Sequence, residues 1–129
     1  MKNFSLGSWV TLNHYSITEI MSKCGFDWLC VDMEHSVTDY SEAQQLIASI
    51  QSEGIKAFVR VGENNNRLIK RVLDAGADGI IVPMVNSKED AVKAINSVKY
   101  PPIGKRGVGL ARAQGYGFDF DNYKNKKAD

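Results

Sequence analysis

The sequence has few cysteines, few prolines and no long apolar run, and each shortage argues against a class of protein. Its two cysteines, Cys24 and Cys30, lie six positions apart without a CxxC pattern, which argues against a disulfide framework or a cysteine zinc site. We interpret both as reduced core thiols of a cytoplasmic protein. No apolar segment approaches the roughly 20 residues of a membrane helix, and we expect no signal peptide at the N-terminus.

The sequence also has no excess of charge of either sign. The 129 residues include 16 Lys and Arg against 15 Asp and Glu, a net charge of +1. Such a balance does not favour binding to nucleic acid or to a membrane surface. A hydrophobic content of 43% is ordinary for a globular domain. We therefore expect neither nucleic acid nor a membrane among the partners of this chain.

What the sequence does have is a strand–helix unit that occurs four times. The predicted strands are apolar segments at residues 6–12, 26–34, 56–61 and 79–85. The predicted helices have apolar stripes at helical spacing: Ile17, Ile20, Met21 and Cys24; Ala43, Leu46, Ile47 and Ile50; Leu68, Ile69, Val72 and Leu73; Ala91, Ala94, Ile95 and Val98. Capping pairs predict three helix starts, at Ser16 with Glu19, Ser41 with Gln44, and Ser87 with Asp90.

Strand–helix alternation predicts an α/β fold with a parallel sheet and right-handed crossovers. The sheet could be open and doubly wound, or part of a (β/α)8 barrel. A full barrel takes about 250 residues, so four units amount to about half of one. We expect residues 1–129 to form a single partial (β/α)4 domain, in which 101–129 is a glycine-rich loop and polar tail.

Polar side chains lie where two predicted strands end. Asp32, Glu34 and His35 close the second strand and Arg60 closes the third, at the sheet edge where parallel folds hold their active sites. A guanidinium among apolar neighbours needs an anion, either a ligand or Asp32 or Glu34. His35 is a candidate general base, or a histidine bonded to a loop carbonyl. Asp32 and Glu34 should point to opposite faces unless the strand bends.

Four stretches of this sequence resemble the HpcH/HpaI family of class II, metal-dependent pyruvate aldolases. They are GSWVTL, GFDWLCVDMEH, VRVGENNNRLIKRVLDAGADGIIVPMV and YPPIGKRGVGLARA, and together they run from about Gly7 to Arg112. The resemblance implies the first half of a TIM barrel. It also implies aldol cleavage of a 4-hydroxy-2-oxo acid to pyruvate and an aldehyde, assisted by a divalent metal such as Mg, Mn or Co.

The resemblance also implies catalytic roles for three residues. His35 is expected to act as the base for the 4-hydroxyl proton, and Arg60 to contact the keto or enolate oxygen. Asp74 matches an aspartate that pairs with the histidine. Asp74 ends a helix that runs away from the carboxyl ends of the strands, so it should lie far from His35 of its own chain. We therefore expect it to reach the site of a neighbouring subunit, with a solvated helix-end acid as the alternative.

Substrate-binding roles are implied for Trp9, which matches a pocket aromatic, for Asp32, and for Arg60. In the glycine-rich stretch after the fourth unit, Arg106 and Arg112 could bind carboxylates at the distal end of a substrate. Core packing is the alternative for Trp9, and an exposed loop is the alternative for the stretch that holds the two arginines.

The two metal-binding carboxylates expected from the resemblance follow later strands, and their motifs do not occur in these 129 residues. We therefore predict no metal ligands in this chain and no activity of the chain alone. The full-length form is expected to be a homo-oligomer, a hexamer. Two alternatives remain: a non-catalytic half-barrel subunit or binding module, and a citrate-lyase-type enzyme acting on a coenzyme A ester.

Overall fold

Four parallel strands form one sheet in the order β1-β2-β3-β4. The computed structural model describes residues 4–127. The strands are β1 (Gly7–Val10), β2 (Trp28–Asp32), β3 (Lys56–Arg60) and β4 (Gly79–Ile81). The predicted α/β fold and its parallel units are confirmed, although all four strands end earlier than predicted, at Val10, Asp32, Arg60 and Ile81.

A helix follows each strand: α1 (Tyr15–Ser22), α2 (Tyr40–Ser52), α3 (Asn66–Asp74) and α4 (Lys88–Val98). Ser87 caps α4 as predicted, by accepting a hydrogen bond from the Asp90 N–H. The other two predicted starts are wrong. Asp39 and Glu42 form the capping box of α2, and the His14 side chain caps α1 by accepting from the Ser16 N–H.

The core lies between one face of the sheet and the helices. Its strand residues are Leu29 and Val31 of β2, Ala57 and Val59 of β3, and Val61 just beyond β3, all at most 1% exposed. The helix side consists of the whole predicted stripe of α2 and, from that of α3, all but the half-buried Leu68: Ala43, Leu46, Ile47, Ile50, Ile69, Val72 and Leu73. The opposite face of the sheet, which would line the inside of a barrel, carries no helix in the described part of the chain.

The two outer helices depart from the predicted stripes. Ile20 of α1 and Ile95 of α4 are more than half exposed, whereas Thr18 and Ser97 are buried in the same helices. Cys24 is also exposed, so its assignment to the core was wrong, while Cys30 is buried as predicted. Each outer helix has a neighbouring helix on one side only, which leaves part of its apolar surface in water.

Between residues 102 and 127, the glycine-rich part of the chain contains helical segments as well as loop. The chain forms short helical segments at Arg112–Gly117, Phe120–Asn122 and Tyr123–Lys127. Arg112 donates to the Gln51 side chain and to the Ala75 carbonyl, which ties this segment to the ends of α2 and α3. It therefore lies at the end of the sheet where the strands begin. In residues 4–127, no helix is both long and apolar enough to span a bilayer.

Candidate active site

Arg60 and Asp32 form a paired contact at the carboxyl ends of β3 and β2. The two residues are partners in the strand register. Arg60 Nε donates to Asp32 Oδ1 over 2.9 Å and Nη2 donates to Oδ2 over 2.7 Å. A two-bond arginine–carboxylate contact fixes the plane of the guanidinium as well as its position. The pair that sequence analysis offered as an alternative to a bound anion is therefore formed.

Asp32 also organises the turn that follows it. Its Oδ1 accepts the backbone N–H groups of Glu34 (3.0 Å) and His35 (3.4 Å). The Arg60 guanidinium lowers the pKa of Asp32 against the effect of burial, and the two backbone bonds act in the same direction. The carboxylate is charged across the neutral range and holds both Arg60 and the turn.

The chain bends after Asp32, and the bend brings Glu34 to the same side. Glu34 Oε2 lies 3.2 Å from Arg60 Nε and 3.7 Å from His35 Nε2. The expectation that Asp32 and Glu34 point apart assumed an extended strand, which ends at Asp32. The contact between Glu34 and Arg60, which sequence analysis offered as one possible ion pair, therefore forms because the chain bends after Asp32.

His35 projects into solvent from the rim, which is the edge of the sheet formed by the carboxyl ends of the strands. Its side chain is 71% exposed, whereas that of Glu34 is 17% exposed. An exposed imidazole at the edge of a charged, partly buried cluster can accept a proton from a molecule bound there. Arg60, Glu34 and His35 thus offer an anion-binding group and a base at one place.

Trp9 completes the cluster from β1. The Arg60 guanidinium carbon lies 4.5 Å from the centre of the Trp9 ring, and Trp9 is 44% exposed. Cys30 is the strand partner of both Trp9 and Phe58, so these three residues share the inner face of the sheet. Burial raises the pKa of the Cys30 thiol to about 11, which makes it an unreactive packing group.

Asp74 and Arg106 lie at the other end of the sheet. Arg106 Nη2 donates to Asp74 Oδ1 over 2.7 Å, and Arg106 Nη1 donates to the Tyr123 hydroxyl over 3.0 Å. Gln114 Nε2 donates to the same Asp74 oxygen. Asp74 is not the solvated acid considered above, and Arg106 is only 1% exposed. Within this chain, neither Asp74 nor Arg106 lies near Arg60. A role of Asp74 at the site of a neighbouring subunit therefore stays a prediction.

Two residues of this cluster were not singled out from the sequence: Tyr123, which accepts from Arg106, and Gln114, which donates to Asp74. Tyr123 and Gln114 follow glycine-rich turns, where hydrophobic periodicity gives no signal. The left-handed backbone at Gly115 and Tyr116 turns the chain back onto α3. The aromatic spacing of Tyr100, Phe120 and Tyr123, which pack edge to face, was the available clue.

The described residues do not fit a divalent metal. No group of three or more His, Cys, Asp or Glu side chains in residues 4–127 could hold one. Magnesium-type ions need several oxygen ligands. The carboxylates at the rim already face Arg60, so they are poor candidates for such a site.

Comparisons with known proteins agree with this architecture. The model of the family described as HpcH/HpaI aldolase/citrate lyase matches residues 5–127. A 2-dehydro-3,6-dideoxy-6-sulfogluconate aldolase of Pseudomonas putida is 41% identical over 87% of this chain and 44% of its own length. A hydroxypyruvate/pyruvate aldolase of Roseobacter denitrificans is 39% identical over 91% of this chain and 46% of its own.

The same family appears among solved structures. The crystal structure of an HpcH/HpaI aldolase/citrate lyase family protein from Burkholderia cenocepacia superimposes with a TM-score of 0.88 at 31% identity. The match covers 96% of this chain and 51% of that one. The chain therefore spans about half the length of the relatives it matches.

Proposed function

Because the chain belongs to the HpcH/HpaI aldolase/citrate lyase family, we propose that it supplies half of the active site of a class II, pyruvate-dependent aldolase. The reaction is reversible cleavage of a 4-hydroxy-2-oxo acid to pyruvate and an aldehyde. The observation that carries the proposal is the meeting of Arg60, Glu34 and His35 at the carboxyl ends of parallel strands. The aldolase names of the relatives give independent support.

In the cleavage direction, the His35 imidazole takes the proton of the substrate's 4-hydroxyl group. The O–H electron pair becomes part of the aldehyde carbonyl, and the bond between C3 and C4 breaks. Its electron pair forms the C2–C3 double bond of the pyruvate enolate, which leaves negative charge on the C2 oxygen. Protonation at C3 then gives the methyl group of pyruvate.

Arg60 is placed to receive that negative charge. Its Nε and Nη2 are held by Asp32, and in the described part of the chain Nη1 donates no hydrogen bond, so it is free for the substrate. A guanidinium already fixed by a carboxylate needs little rearrangement when charge develops on a nearby oxygen. Glu34, between Arg60 and His35, orients the imidazole.

The proposed activity requires residues that this chain does not supply. The family resemblance implies a divalent metal, and the described residues hold no cluster that fits one. We expect the 129-residue chain to show no turnover of a 4-hydroxy-2-oxo acid, even with added manganese. Turnover by the purified chain would contradict this division of the site.

The test joins this chain to the part of the Pseudomonas putida relative that follows the matched region. Pyruvate formation from 4-hydroxy-2-oxo acids is measured with added manganese and a lactate dehydrogenase couple. We expect activity in the fusion, and a loss of about 100-fold or more in His35→Asn and Arg60→Met variants. A folded fusion without activity, or full activity of His35→Asn, would refute the proposal.

A matched control is His14→Asn. His14 also follows a strand on the same rim, but its side chain caps α1. Asparagine caps helices well, so the variant should fold and keep full activity. Loss of activity in this variant would show that the assay reports stability of the rim rather than chemistry at His35.

A non-catalytic half-barrel subunit is the second candidate. It is favoured by the lack of a metal-binding cluster in the described residues and by the uncovered inner face of the sheet. In that case the fusion would fold and bind substrate analogues, while turnover would be absent with every metal and every 4-hydroxy-2-oxo acid tried.

A further inference from the structure

The Trp9 ring contacts the candidate anion-binding group, since its centre lies 4.5 Å from the Arg60 guanidinium carbon. The family resemblance implies a substrate contact for Trp9. We propose instead that Trp9 is a positioning residue, which acts on the reaction by holding Arg60 in place. This inference rests on the proposed function, because it assigns a role within the same site.

The strand register brings the two side chains to one face of the sheet. Trp9 of β1 is the partner of Cys30 of β2, which is in turn the partner of Phe58 of β3. Arg60 follows Phe58 by two positions and therefore shares its face, because side chains alternate along a strand. Neighbouring strands lie about 4.8 Å apart, so a side chain on β1 must cross β2 to reach β3.

Cys30 provides the room for this crossing. Its side chain is small and completely buried, so a long ring from β1 can extend over β2 towards Arg60. The next residue of β2 on this face is Asp32, which is itself bonded to the guanidinium. All of these residues lie in strands of the described part of the chain, so the contact does not depend on what covers the other face of the ring.

Trp9 and Asp32 restrain Arg60 in different ways. Asp32 accepts hydrogen bonds from Nε and Nη2 and so fixes one edge of the guanidinium. The face of an indole ring is electron-rich and attracts the cation as a whole. The same face repels an anion, so the side of Trp9 that meets Arg60 is unsuited to a carboxylate. Nη1, which donates no hydrogen bond within residues 4–127, is the group that remains for the enolate oxygen.

This restraint predicts where the effect of Trp9 appears in the kinetics. Negative charge on the C2 oxygen develops in the transition state, and a guanidinium that is already held stabilises that charge without rearrangement. Loss of Trp9 should therefore lower kcat. Loss of a uniform substrate contact would instead raise KM and leave kcat unchanged.

The first test uses the fusion described above. In Trp9→Leu we expect kcat to fall about fivefold or more, with KM changed by less than about twofold. Trp9→Phe keeps an aromatic face and should recover part of the loss. A raised KM with unchanged kcat would assign Trp9 to the substrate and overturn the proposal.

The second test combines this change with the loss of Arg60. Trp9→Leu should cost nothing further in an Arg60→Met background, because a residue that acts through Arg60 has no effect without it. Independent effects that multiply would overturn this inference, while the proposed function would stand. Full activity of Arg60→Met would refute the proposed function, and this inference with it.

The third test does not need activity. In the 129-residue chain, the Arg60 Nε proton is held by Asp32, and the ring current of Trp9 should move its NMR resonance away from the usual arginine range. Trp9→Leu should return the resonance to that range, and Arg60→Met, which removes it, gives the assignment. A resonance that Trp9→Leu leaves unchanged would overturn the contact in solution.

Tyr40→Leu is the matched control. Tyr40 makes the same kind of contact, with its ring centre 3.8 Å from the guanidinium carbon of Arg71, but it joins α2 to α3. The variant should change neither kcat nor the Arg60 resonance. A fall in kcat equal to that of Trp9→Leu would show that the assay reports stability, and would overturn the proposal.

Discussion

Arg60 and Asp32 face each other across neighbouring strands and share two hydrogen bonds, of 2.9 and 2.7 Å. The pair joins the sheet to the turn that carries Glu34 and His35, because Asp32 also accepts the N–H groups of both residues. One carboxylate thus sets the position of the candidate anion-binding group and of the candidate base.

Removal of Arg60 should change how the stability depends on pH. The pKa of Asp32 is lowered in the folded chain, so its contribution is present above the unfolded-state value of about 3.9 and is lost as the pH falls through the folded-state value. In Arg60→Met, burial would act on Asp32 without the arginine, so its folded-state pKa moves toward or above the unfolded-state value and its contribution to the loss of stability in acid should shrink. Urea midpoints between about pH 2.5 and pH 6 should therefore fall less steeply with decreasing pH than those of the unmodified chain.

Arg67→Met is the control for that experiment, because Arg67 is an exposed arginine at the start of α3. Its profile should match that of the unmodified chain. Equal profiles for all three proteins would mean that Arg60 does not set the titration of Asp32 in solution.

Asp74→Asn should destabilise the chain strongly. Arg106 is 1% exposed, and its charge is balanced by Asp74 over 2.7 Å. Removal of one member of a buried pair leaves a charge without compensation, at a cost of about 3 kcal/mol. The free energy of unfolding in urea measures the loss, and Asp74→Asn combined with Arg106→Met should recover part of it.

The comparison for that pair is Glu53→Gln. Glu53 faces Lys23, whose side chain is 63% exposed, so the change should cost less than about 1 kcal/mol. If Asp74→Asn and Glu53→Gln lost equal stability, the buried pair would contribute no more to the free energy of unfolding than a surface contact.

Gly104→Ala should destabilise the turn that places Arg106. A methyl group there would lie 2.2 Å from the Lys99 carbonyl oxygen, which accepts the Arg106 N–H. Backbone cannot move aside as a flexible side chain can, so we expect a loss of about 1–3 kcal/mol in unfolding free energy. At Gly62 the nearest atom is 3.7 Å away, and Gly62→Ala should be nearly neutral. Equal midpoints for the two variants would contradict the crowding at Gly104.

The two cysteines should differ sharply in reactivity. Cys24 is exposed, whereas Cys30 is buried with a pKa raised to about 11. At pH 8, a disulfide reagent that releases a coloured thiol should label one cysteine per folded chain quickly and the second only after addition of urea. Cys24→Ser should abolish the fast phase. Rapid labelling of both sites would show that the inner face opens in solution.

Much of the architecture was predictable from the sequence. Strand–helix alternation predicted the parallel sheet, and the apolar stripes of α2 and α3 were identified correctly except for the half-buried Leu68. The stripes of α1 and α4 were not, because periodicity predicts which residues would face a core without showing whether a neighbour exists. Ile20 and Ile95 match helical spacing yet remain in water, since the described part of the chain offers nothing to cover them.

The sequence predicted which residues lie at the rim but did not predict all of the contacts between them. Adjacent strand ends placed Arg60 beside Asp32, as register requires in a parallel sheet. The contact of Glu34 depended on where β2 ends, which alternation of side chains cannot show. The contact between Arg106 and Tyr123 follows the left-handed backbone at Gly115 and Tyr116, and no periodic signal reports such a reversal.

The turn after β2 has a consequence for protein engineering. Its geometry is encoded within four consecutive residues, since the first carboxylate accepts the N–H groups of Glu34 and His35. A designer who transplants this tetrapeptide to another parallel strand needs one arginine at the registered position next door. The backbone of His35 would then be held beside that arginine by a carboxylate from within the same tetrapeptide.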